Sequence, residues 1–216
     1  MSPRRPAVLR DGGGDQTLRD HLIATAARLI AERGSAALTV RDIAREAEVA
    51  GGVLYNHFAD KEELLALALR THVHGVMSGM GEVPRAGDGT VEGNLRAYIT
   101  RGLNVLTQIL PVFAGVLTQH KVLTHFASMP APGTEEGGLR AVLTGYLRAE
   151  QQLGRVSPDA RVEAAATMIM GGCHELILPR LFHPGAAGSQ ADAPVIPPDF
   201  VDDLVSTVMH GIAPRT

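Results

Sequence analysis

A single cysteine, no tryptophan and an aromatic content of 4% are the first shortages of this 216-residue chain. Cys173 alone can neither close an intrachain disulfide nor build a thiolate metal site. Stability must come from apolar burial, and a reducing compartment, the cytoplasm, is the expected location. No stretch reaches the roughly 18 uninterrupted apolar residues of a membrane-spanning helix. The basic N-terminus is not followed by the apolar run of a secretory signal. A cationic surplus is missing too: 20 Lys and Arg stand against 23 Asp and Glu, a formal net charge of −3. Contact with a polyanion would have to rest on a local group of cations. Arg4, Arg5 and Arg10, ahead of Gly12, Gly13 and Gly14, form one such group, on a segment that reads as a flexible basic arm over residues 1–16. It is either a contact arm or an inert tail.

What is present is helical periodicity. Leu18, Leu22, Ile23, Ala26, Leu29 and Ile30 recur at helical spacing, and Gly34 supplies a left-handed stop. Thr39, with Asp42 three residues on, caps a short second helix carrying Val40, Ile43, Ala44 and Ala47. Val49, Val53, Leu54 and Phe58 give a third short helix. Asp60-x-x-Glu63 caps a fourth, whose Leu64, Leu65, Leu67, Ala68 and Leu69 are apolar nearly all round, as in a helix enclosed by others. Gly75, Gly79 and Gly81 end it. From Val91, the residues Leu95, Ile99, Leu103, Leu106 and Leu110 continue the period to Pro111, which either kinks that helix or opens a new one. Further helices are expected over 139–153, from the Ser157-Pro158-Asp159 signal through Phe182, and over 199–212, where Phe200, Leu204, Val208 and Ile212 form a stripe. Segments 129–138 and 183–198 read as loops. No strand pattern of comparable quality occurs, so the expected class is all-α.

Two helices of about two turns cannot stand alone, because nucleation is costly and packing must supply the stability. Joined by a tight turn and backed by a longer first helix, they form a helix-turn-helix, whose second helix enters the major groove of DNA. Residues 50–55 would then face the groove. The pattern Thr39, Ile43-Ala44, Ala47, Val49, Leu54-Tyr55, His57-Phe58 and Lys61-Glu62-Glu63-Leu64 resembles the TetR family of transcriptional regulators over residues 18–65. The resemblance implies a homodimer on a palindromic operator in double-stranded DNA. It also implies an N-terminal helix-turn-helix domain, 17–63, followed by a larger helical ligand-binding and dimerisation domain, 64–216, with about nine helices in all and no cofactor.

Thr39 can cap its helix while turning its hydroxyl to a phosphate; Tyr55 and His57 can donate to phosphate oxygens, and Lys61 adds a charge at the next helix start. The plainer readings are a packed aromatic for Tyr55 and a surface polar group for His57. Arg41 and Arg45, one turn apart, suit groove contact or a solvated face, with Arg41 nearer the helix N-terminus. The chain departs from the family pattern at Glu48, where glycine is usual, which predicts a strained or blunted turn. It departs again at Ala50-Gly51-Gly52, which lacks a side-chain cap and base-reading groups. Readout would fall to Val53 against a thymine methyl, Arg41, close backbone approach at Gly51 and Gly52, and DNA shape.

In the larger half, the residues expected around a small apolar or amphipathic effector are Met77, Met80, Leu103, Leu106, Phe113, Leu117, His120, Phe126, Met168, Cys173 and His174. The plainer reading makes most of them core. Ala164, Ala165, Ala166, Gly171 and Gly172 permit close helix approach, at the dimer interface that the resemblance implies or within one chain. A metal site is not expected: His72 and His74 point to different helix faces, and the i, i+5 spacing of His120 and His125 is not a favoured ligand pair. An enzyme using His120, His174 and Glu175 would lack a nucleophile motif, a phosphate loop and H-E-x-x-H. The sequence thus reads as a repressor released from its operator by a ligand. The alternative is a helical DNA-binding scaffold without one.

Overall fold

The computed structural model describes residues 14–34, 38–129, 138–179 and 196–212. Among these there are nine α-helices and no strand: α1 (Gly14–Arg33), α2 (Val40–Glu46), α3 (Leu54–His57), α4 (Lys61–Gly79), α5 (Val91–Ala114), α6 (His120–Ala127), α7 (Leu139–Gln152), α8 (Val162–Ile177) and α9 (Phe200–Ile212). The all-α expectation holds. The arginines of the N-terminal arm, most of the 129–138 and 183–198 segments and the extension of α8 to Phe182 lie outside the described residues. Gly14, Asp15 and Gln16, expected in the arm, already belong to α1.

The chain divides into two compact units, Met1–Gly75 with Pro111–Pro130, and Val76–Leu110 with Ala131–Thr216. Sequence reading drew its line at 63/64. The first unit instead takes in most of α4, the end of α5 and all of α6, because their apolar residues close its core. Leu22, Leu29 and Ile30 of α1, Ile43 of α2, Leu54, Phe58, and Leu64, Leu65 and Leu69 of α4 pack there with Val112, Val116 and Val122. Arg28 ties α1 to α2 through Glu46 at 2.5 Å. Arg19 lies 5.0 Å from the Phe58 ring centroid and 3.3 Å from Glu63. The α4 start departs slightly from the expected box: Asp60 accepts from the Glu63 backbone, and the Glu63 carboxylate reaches back to the N–H of Ala59.

In the second unit, Leu95, Ile99 and Leu103 of α5, Leu143 and Leu147 of α7, Ala166, Ile169 and Cys173 of α8, and Val205 and Val208 of α9 make one core. Arg96 joins α5 to α9 through Asp202 at 2.5 Å, and Arg148 joins α7 to α8 through Glu163. Pro111 interrupts nothing: α5 runs through it as one helix. α8 starts at Val162, later than the Ser-Pro-Asp signal, because the Ser157 hydroxyl accepts from the Asp159 N–H in a turn of its own.

The loop between α4 and α5 is held from inside. Glu150, fully buried, accepts from the Gly87 N–H at 3.2 Å and lies 3.2 Å from Arg155 Nε. Arg155 also donates to the Gly89 carbonyl at 2.8 Å, and Tyr98 donates to that of Pro84 at 3.1 Å. Desolvation raises the pKa of Tyr98, and that of Tyr146 still further, their rings being 4.8 Å apart.

Candidate nucleic-acid interface and cavity

The turn between α2 and α3 is tight. Thr39 accepts the Asp42 N–H at 3.2 Å while Asp42 Oδ2 accepts the Thr39 N–H and hydroxyl, a complete capping box. Those bonds from Thr39 are the chief reason the Asp42 carboxyl sits below the usual carboxylate range. After α2, Glu48 adopts φ +56°, the left-handed region that favours glycine, so the turn keeps its sharpness at the cost of local strain. The chain then enters a 3₁₀ turn, Gly51–Val53, whose cap Ala50 offers no side-chain bond, and continues directly into α3.

This geometry sorts the candidate contacts. Thr39 is exposed, but its hydroxyl proton is committed to Asp42. Arg45 is held by Asp42 at 2.8 Å, whereas Arg41 is exposed and has no partner among the described residues. Tyr55 is 63% exposed, which removes the packed-aromatic reading. Gly51 and Gly52 are exposed with open space where a Cβ would stand, while Val53 and His57 are half-buried and Lys61 is partly covered at the start of α4. Asn56 was missed. It is exposed beside Tyr55 on α3 and has no partner among the described residues, but its position is variable in the family pattern, so sequence gave it no signal.

A separate cavity of about 380 Å³ lies wholly within the second unit, lined by the last turn of α4, by α5, α7 and α8 and by the α4–α5 loop. Of the expected residues, Met77 and Cys173 line it. Leu103 and Leu106 are core of the same unit, Phe113 and Phe126 pack edge to face at 5.3 Å in the first unit, and Leu117, His120 and Met168 are exposed. Met80 and His174 are half-buried and do not reach the lining, and His174 Nδ1 sits 2.6 Å from the Met170 carbonyl of its own helix. Helical phase decides these outcomes, not residue type. The residues that do form the wall include Tyr98, Ile99, Arg101, Val142 and Ile169, none of which was among the expected effector contacts. Burial pushes the Cys173 thiol up to about 11.

The chain thus presents a helix-turn-helix unit whose reading helix is exposed and has no side-chain cap, and a helical unit with a half-open cavity. Residues 22–68 match the family model described as bacterial regulatory proteins, tetR family. The HTH-type transcriptional repressor KstR2 of Mycobacterium tuberculosis (strain CDC 1551 / Oshkosh) is 48% identical over 61 residues, 28% of this chain and 30% of the relative's own length. Over nearly the whole chain the likeness is one of fold. A TetR family regulator from Pseudomonas syringae pv. tomato str. DC3000 superposes with TM-score 0.61 at 20% identity, covering 93% of this chain and 99% of that one. A transcriptional regulator from Saccharomonospora viridis, solved in complex with choline, gives 0.61 at 20%, covering 93% and 100%. Residues 22–68 are thus a TetR-family N-terminal domain, and the chain spans less than a third of the length of the curated relative it matches.

Proposed function

We propose that this chain is a homodimeric, sequence-specific DNA-binding repressor that leaves its operator when a small molecule fills the cavity of the second unit. The observation that carries the reading is the exposed face formed by Arg41, Gly51, Gly52, Tyr55 and Asn56, whose polar members have no intramolecular duty among the described residues. Arg41, Tyr55 and Lys61 serve as phosphate contacts that set register. Val53 and Asn56, with the bare backbone at Gly51 and Gly52, read the bases. Thr39 and His57 support the register through their helix ends, and Arg45 contributes only on leaving Asp42. The cavity favours a ligand-responsive protein over a scaffold without one, since a packed domain has no need of such a void. Ala164, Met168 and Gly171, exposed on α8, and Leu178 at its C-cap offer a largely apolar strip, interrupted by Glu175, for a second copy, and two copies span two half-sites. Reciprocity requires the ligand and the operator to weaken each other's binding.

Selection from a randomised duplex pool, followed by anisotropy titration at several salt concentrations, tests this. Enrichment of a two-fold palindrome, a steep salt slope and loss of binding in Tyr55→Ala are expected. Binding indifferent to sequence and to Tyr55 would overturn it.

A further inference from the structure

The cavity is not evenly apolar. Ile99, Val142, Leu143 and Ile169 give it an aliphatic wall, and Gly102 on α5 is buried yet would find nothing within 4 Å of an added Cβ, so the void runs up to the helix backbone there. Next to Gly102 stands Arg101. Its guanidinium donates to the carbonyls of Met77, in the last turn of α4, at 2.9 Å and of Gly81, just beyond the end of that helix, at 2.6 Å. Its Nε is buried and carries no hydrogen bond, and no carboxylate of the described residues pairs with it. The other charges on the wall, Glu82 and Arg85, lie 3.8 Å apart with side chains 91% and 79% exposed, and so offset each other in water. A cation that spends its bonds on neutral carbonyls, with a buried N–H left over, lacks an anionic acceptor.

Resting on the regulator reading above, we propose that the effector class is an amphipathic carboxylate: its aliphatic body fills the space beside Gly102, Ile99 and Ile169, and its carboxylate meets the Arg101 guanidinium at the cavity wall. The same guanidinium holds the end of α4, a helix that begins at the reading unit, so a carboxylate docked on it competes with the Met77 and Gly81 carbonyls and loosens that hold. Arg101 is thus both the specificity-determining residue and the point at which occupancy is felt. A quaternary ammonium would meet the wrong charge.

The test is calorimetric titration of the full chain with decanoate, 1-decanol and decyltrimethylammonium, each below its aggregation limit. Decanoate is expected to bind at least about tenfold tighter than either neutral or cationic probe. Arg101→Gln should erase that preference, Arg101→Lys should keep part of it, and Gly102→Leu, which fills open space, should block all three probes while the helical circular dichroism is retained. Decanoate no tighter than decanol, or a preference that survives Arg101→Gln, would overturn the proposal, as would absence of binding by every probe. If Arg101→Gln does not fold, the Arg101→Lys and Gly102→Leu comparisons still decide. Operator titration separates the two readings: palindrome binding without a decanoate preference removes only the ligand class, and a decanoate preference in a protein that binds no operator leaves the ligand class and removes the regulator.

Discussion

Arg45 donates a 2.8 Å hydrogen bond to Asp42, one turn back on α2, while Arg41 on the same helix reaches no carboxylate among the described residues. The two arginines therefore differ in what a phosphate must displace. A contact by Arg45 breaks an existing pair; a contact by Arg41 displaces only water and counterions. Arg41→Ala is expected to lower operator affinity about tenfold and to reduce the salt slope by about 1, and Arg45→Ala to lower affinity less than about threefold. Anisotropy titrations between 50 and 200 mM salt measure both, and equal losses would show that the pairing with Asp42 does not decide the contact.

Glu48 at φ +56° holds a strained backbone in the turn that sets the angle between α2 and α3. Replacing it by glycine removes the Cβ clash while keeping the turn, so Glu48→Gly should stabilise the protein by up to about 1 kcal/mol. For a chain of this size that corresponds to a rise in Tm of about 2–4 °C. Glu48→Ala, which removes the charge and retains the Cβ, separates strain from electrostatics. If alanine stabilises as much as glycine, charge and not backbone strain was the cost.

The elements legible in the sequence were those decided by near neighbours along the chain. The Thr39–Asp42 box, the left-handed Gly34 and the enclosed α4 each follow from residues within one or two turns. The course of α5 through Pro111 was not legible, because local rules permit either a kink or a new start and distant packing chooses. The cavity was the least legible part. Met168 and His120 were attractive by chemistry but fall on exposed faces, and Arg101 carried no sequence signal, because only the fold puts the end of α4 against it. Asn56 needed the geometry of α3 to show that it stands clear of the core.

Glu150 is an acid with no exposure, facing the Gly87 N–H and an Arg155 side chain that is 28% exposed. Removing it leaves a donor and a partly buried cation without their acceptor. Glu150→Ala is expected to destabilise the protein by about 3 kcal/mol, the low end for a broken buried pair because water can still reach Arg155. Urea unfolding followed by circular dichroism measures this. The loop that Glu150 anchors also lines the cavity, so loss of probe binding should accompany the loss of stability. A change below about 1 kcal/mol would mean that the loop is held by Tyr98 and Arg155 alone.

The Cys173 thiol lies at 0% exposure on the cavity wall, and desolvation raises it to about 11 from an ordinary value of 9.0. The thiolate is the nucleophile, so alkylation by iodoacetamide should be slow at pH 8 and accelerate only as the pH climbs toward 11. The same shift fixes the sign of its effect on stability. Between about pH 9 and 11 the unfolded chain has released a proton that the folded chain keeps, so this contribution is complete below the lower value and is lost as pH rises through that interval, by roughly 2–3 kcal/mol in all. Tyr98 and Tyr146 are shifted in the same direction and blur the total. Subtracting the pH dependence of Cys173→Ala from that of the unaltered protein removes their share. A difference curve that is flat from pH 8 to 11 would show that the thiol is solvated, and hence that water occupies the cavity beside it.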